Sequence, residues 1–68
     1  MRLGIVFNKR YSDDVSGFIV RDTNRGGTVY RWYINGESGV ESDLTVAKFV
    51  VNDLARKMLD FNRLVGCA

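Results

Sequence analysis

The sequence predicts an α+β domain: a three- or four-stranded antiparallel meander with one long C-terminal α-helix packed on one face. Three observations carry this. Apolar residues alternate with polar ones through the first half of the chain, the period of half-buried strands. Gly-containing turn signals separate those runs, at Asn24 to Gly27 and at Asn35-Gly36. From Ser42 onward the apolar period becomes helical, and no proline interrupts it.

The elements follow in order. Residues 2–8 read as a first strand with Leu3, Ile5 and Phe7 on one face. Residues 15–22 form a second strand, with Phe18 and Val20 pointing one way, Ile19 and Arg21 the other. Thr23-Asn24-Arg25-Gly26-Gly27 makes the loop of a hairpin. Residues 28–35 form a third strand, on which Tyr30, Trp32 and Ile34 face the core and Val29, Arg31 and Tyr33 face outward. The opposite register would bury Arg31, which is costly. Asn35-Gly36 then turns the chain into a short fourth strand at 38–41. Ser42 is the expected helix N-cap, with Asp43 at the positive end of the dipole. The helix is expected over 43–64, with Gly66 as its stop signal.

Projection at 100° per residue gathers Leu44, Ala47, Val51, Leu54, Ala55, Met58, Phe61 and Val65 into one apolar stripe. Thr45, Asn52, Asp53, Arg56, Asp60 and Arg63 form the wet side. Phe49 falls among them, and Val46 and Leu64 also lie off the stripe. A helix of this length spans roughly 33 Å, against roughly 23 Å for a seven-residue strand. The helix should therefore overhang the sheet.

Sixty-eight residues make one domain, taken as 1–68. So small a chain is marginally stable unless disulfides, metals or oligomerisation help. The single Cys67 has no internal partner and there is no histidine, so neither a disulfide nor a zinc cluster is expected. No cofactor is expected either, because the spacing of phosphate-binding glycine loops is missing. Asp13-Asp14 has no third ligand beside it and reads as a solvated turn. Without histidine the commonest base for a serine or cysteine nucleophile is lacking, and no enzymatic activity is expected. No apolar run approaches a membrane span. One free cysteine and no visible export signal fit a reducing cytoplasm.

Net charge is +2, distributed unevenly. Residues 1–36 carry six basic groups against three acidic ones; residues 37–68 carry four against five. Two classes of function remain. The first is a protein-binding module, engaging a partner or a second copy of the chain, with Phe49, Val46, Arg56 and Leu64 as its contacts. An exposed aromatic in polar surroundings marks an interface unless a loop or the amino-terminal arm folds over it. A short chain starting at Met1 without catalytic apparatus resembles, in size and style, the small accessory proteins of phages and mobile elements. That resemblance implies binding and blocking a host protein. The second class is nucleic-acid binding through Arg21, Arg31 and Tyr33, read as one open sheet face, with Arg25 capping the loop, since arginines among aromatics grip phosphates and stack on bases. The strand–strand–strand–helix order over residues 17–58, with Tyr30, Trp32, Gly36 and Ala47, is similar to the arm-binding domains of phage integrases and to AP2-type domains. That similarity implies a three-stranded sheet set into the DNA major groove.

Overall fold

The computed structural model describes the backbone of residues 2–66 and the side chains of residues 4–61. Expectations for the side chains of Leu3, Arg63, Leu64 and Val65, and for Cys67, lie outside those described residues. Four strands, β1 (Arg2–Arg10), β2 (Ser16–Asn24), β3 (Gly27–Ile34) and β4 (Glu37–Glu41), precede the helix α1 (Leu44–Gly66). The strands form one antiparallel sheet in the order β1-β2-β3-β4. The fold is the α+β meander with a C-terminal helix that the alternation pattern predicts, with the fourth strand present.

Local chemistry explains the connections. Asn35 and Gly36 both adopt positive φ, 45° and 88°, as the mirror-image hairpin turn requires. Asn35 also ties two loops together: its amide donates to the carbonyl of Asp14 at 2.5 Å, and its oxygen accepts from Ser16 N at 3.2 Å. In the β1–β2 connection, Ser12 Oγ accepts from Val15 N at 3.1 Å. At the helix start Asp43, rather than Ser42, is the N-cap. Its carboxylate accepts from Thr45 N at 2.7 Å, and its carbonyl accepts from Ala47 N at 3.0 Å.

The core lies between one sheet face and the helix. It consists of Val15, Ile19, Trp32, Ile34, Ala47, Val51 and Ala55, all buried. Two close approaches set the layer spacing. At Gly17, a Cβ would sit 3.0 Å from Val51 Cγ1, so the helix crosses where β2 has no side chain. Trp32 lies flat over its cross-strand partner Gly39, where an added Cβ would come within 2.6 Å of the indole. The indole Nε1 donates to Glu41 Oε2 at 3.4 Å. Tyr30 packs against the edge of this core.

Two features depart from the expected alternation. A bulge lies between Ile5 and Phe7 in β1, so Ile5 pairs with Val20 while Phe7 pairs with Ile19. Cross-strand partners share a face, and the extra residue therefore sends Phe7 toward the helix and leaves Ile5 on the far side, 64% exposed. On the helix, Phe61 belongs to the apolar stripe yet is 65% exposed, whereas Val50 and Leu59, off the stripe, pack against the core.

The exposure of Phe61 follows from a stagger. The helix has 23 residues, about 34 Å at 1.5 Å per residue. Its buried positions end at Ala55, near the Asn35-Gly36 end of the sheet, and Phe61 runs past it. At the opposite end the β2–β3 hairpin extends beyond the helix start, with Arg21, Thr23, Asn24 and Thr28 exposed. The long dimension of the molecule is 50 Å against 17 and 16 Å.

Trp32→Ala is expected to lower unfolding free energy by about 3–5 kcal/mol, because it empties the centre of the core. Denaturant melts followed by circular dichroism measure it; an unchanged midpoint would show that the indole is not the keystone. Tyr11 bonds through its hydroxyl to Asn52 Oδ1 at 2.5 Å, and burial raises the pKa of its phenol above 10.0. The unfolded chain then ionises first. This contribution is complete below about pH 10 and declines as pH rises through the higher folded value. Tyr11→Phe should flatten that part of the stability–pH curve relative to wild type.

Candidate functional site

The sheet has two faces, and the described residues form one helix. The face turned away from α1 carries Ile5, Phe18, Val20, Val29, Tyr33 and Val40, placed there by cross-strand register. Ile5 is 64%, Val40 49%, Phe18 38% and Tyr33 37% exposed. Phe18 and Tyr33 are direct partners on β2 and β3, and their rings stack with centroids 4.9 Å apart and planes 21° apart. A shallow depression of about 320 Å³ lies beside this stack, lined by Ser16, Phe18, Tyr33, Asn35 and Ser38 among others.

Within this apolar field sits one ion pair. Asp22 is 4% exposed although it lies on the helix-free face. Its Oδ2 accepts from Arg31 Nε at 3.0 Å, while its Oδ1 is buried with no hydrogen-bond partner among the described residues. The Arg31 side chain is 44% exposed. A carboxylate this deeply buried needs its cation, and Arg31 is the residue that supplies it. The arginine is thereby fixed in orientation. Of its five donors, one is engaged inward.

The residues singled out in the sequence do not form one surface. Arg21 pairs with Tyr30 and so lies on the helix side of the sheet, where it is exposed beyond the end of the helix. Arg31 pairs with Val20 and lies on the other side with Tyr33. The expectation that Arg21 and Arg31 share a face with Tyr33 is therefore corrected. The cause is loop length. A five-residue loop at 23–27 would pair Asp22 with Thr28, whereas the hairpin turns through Arg25-Gly26 alone, pairing Asn24 with Gly27. One residue of slip exchanges faces for the whole strand. Asn24 Oδ1 holds the tight turn by accepting from Gly26 N at 2.8 Å. Arg25 is exposed at the hairpin tip.

On the helix, Phe49 is 70% exposed and Val46 45% exposed. No loop or arm among the described residues folds over them. They are neighbours at i,i+3, and Arg56 lies two turns beyond Phe49 on the same wet side. This patch is on the back of the molecule, away from the sheet's open face. Leu64 lies outside the described side chains.

Sequence reasoning missed Phe18, Ile5, Val40 and Asp22. The available signal was the turn: Asn24 and Gly27 flanking a two-residue loop set a register that places Phe18 opposite Tyr33. Among the described residues no group of three or more Asp, Glu, Cys or His is close enough to hold a metal ion. No described helix is long and apolar enough to cross a membrane. The chain matches no known protein family, no curated protein and no solved structure.

The Asp22–Arg31 pair generates a stability test. Arg31→Met should destabilise the fold by about 1–3 kcal/mol, the cost of a buried acceptor left unpaired. The double variant Asp22→Asn/Arg31→Met should recover part of that loss in thermal melts. If Arg31→Met alone melts like wild type, the pair is not what satisfies Asp22.

Proposed function

We propose that this chain is a non-enzymatic binding module that recognises a protein partner through the open face of its sheet. The observation that carries this reading is the uncovered apolar field of Ile5, Phe18, Tyr33 and Val40. Exposed apolar side chains gathered on one sheet face and rimmed by polar groups are characteristic of interaction surfaces. The stacked Phe18 and Tyr33 are rigid aromatics of the type that anchors interfaces. Occupying a partner's surface is the action available to a domain of this size, so its effect is to block or modulate that partner. Val46 and Phe49 on the helix form a second, smaller contact region, on the opposite side.

A second reading concerns nucleic acid. Arg21 and Arg25 are both exposed on the part of the β2–β3 hairpin that projects beyond the helix, with no ion pair between either and a described residue. A projecting ribbon with arginines can enter a groove. Two arginines make few phosphate contacts, and the apolar face favours protein.

The two readings separate by capture from a lysate with and without nuclease. Ile5→Lys/Val40→Lys substitutes two well-exposed positions and should leave the fold intact. The expected result is a nuclease-resistant protein partner that the double variant no longer retains and that Arg21→Gln/Arg25→Gln still retains. Release by nuclease, or by moderate salt in proportion to phosphate contacts, together with loss in Arg21→Gln/Arg25→Gln, would favour the hairpin instead.

A further inference from the structure

We infer that the partner presents a carboxylate, from Asp or Glu, flanked by apolar side chains, and that Arg31 receives it. This deepens the protein-binding reading of the same sheet face and rests on it. Charge on that face is the argument. Its described cations are Arg31 near the centre and Arg10 at the rim, where Arg10 reaches Asp13 at 3.5 Å. Its only described carboxylate within the strands is Asp22, and that group is buried beneath Arg31. The pair is neutral overall, but its buried half is the acid, so the group it presents to solvent among the apolar side chains is the guanidinium.

Arg31 is unusually well prepared for such a ligand. Asp22 takes its Nε at 3.0 Å, which anchors the guanidinium plane and leaves its two terminal nitrogens for an outside acceptor. Those two nitrogens form a fork that matches the two oxygens of a carboxylate. An arginine with a free side chain would lose rotamer entropy on binding; one already tied to a buried acid loses less. Apolar neighbours Val20, Val40, Phe18 and Tyr33 would exclude water around the new pair and strengthen it.

The same bookkeeping argues against a second copy as the occupant. A two-fold contact through the centre of the face would bring Arg31 against strands whose described residues offer no accessible carboxylate, Asp13 lying at the rim beside Arg10, and its remaining donors would be desolvated without a charged acceptor. A phosphate would satisfy the fork, but the surrounding apolar field offers no further cation within the face apart from rim Arg10. Protein carboxylate is the ligand that fits both the fork and the field.

The test is selection of a random peptide library on the immobilised chain, followed by affinity measurement on synthetic peptides. Enriched sequences should carry Asp or Glu between apolar residues. Replacing that acid by its amide in the peptide, which leaves the protein untouched, should weaken binding roughly tenfold to hundredfold, the range for a charge-assisted hydrogen-bonded pair. Arg31→Lys, which keeps the charge but loses the fork, should weaken it in the same direction, with fold checked by circular dichroism. Ile5→Lys/Val40→Lys should also weaken it, and Phe49→Ala should not. Peptides that bind the open face yet tolerate loss of the acid would overturn the carboxylate inference and leave the protein-binding reading standing. Absence of any peptide that senses Ile5→Lys/Val40→Lys would overturn both. A dimer in sedimentation abolished by that double variant would assign the face to a second copy. An oligonucleotide that competes for Arg31 with steep salt dependence would assign it to nucleic acid. Either result would overturn the inference.

Discussion

A single helix can cover only one face of a sheet, and everything else in this molecule follows from how that one cover is placed. The contact is fixed where Val51 meets Gly17 and where Trp32 lies over Gly39. At both points a strand gives up its side chain so that the two layers can close. The arrangement buries Ile19, Trp32 and Ile34 well, and it places no described part of the helix over Phe18, Tyr33, Ile5 and Val40. The apolar content of those outer positions is therefore not needed by the monomer's core.

Asp22 and Arg31 give that face its chemical character. A carboxylate at 4% exposure on the open side of a sheet contributes little to stability by itself, since desolvation offsets much of the attraction to Arg31. Its structural effect is geometric. The pair ties the Arg31 Nε to a buried acid among apolar neighbours. The overhanging end of the helix adds a separate feature, a depression of about 370 Å³ between Asn35 and Leu54, Lys57, Met58 and Phe61. Together these leave a two-layer domain with different chemistry on each of its exposed sides.

Much of the fold was legible in the sequence because its signals are local. Alternation identified the strands, Asn35-Gly36 identified the second turn, and the helical period identified α1. Tyr30 and Trp32 were correctly assigned to the helix side because the alternative buried an arginine. What was not legible depended on counting single residues. The bulge after Ile5 has no marker in composition, and it parts Ile5 from Phe7, which simple alternation puts on one face. The two-residue turn at Arg25-Gly26 lies inside a glycine-rich stretch that reads equally well as a longer loop, and the difference of one residue separated Arg21 from Arg31. The candidate site was visible only in part for the same reason. Tyr33 and Arg31 were placed correctly on the outer face, but Phe18 and Asp22 join them only once the register is known. Phe49 needed no register, because helical projection alone exposes it.

The central claim is that the helix-free face of the sheet stands open in the free chain. Carbene footprinting of the protein in dilute solution, read residue by residue, tests it most directly. The account predicts labelling of Ile5, Phe18, Tyr33 and Val40 alongside Phe49 and Phe61, with Ile19, Ile34 and Val51 protected. Protection of Phe18 and Tyr33 in the free chain, at a concentration where it sediments as a monomer, would contradict it.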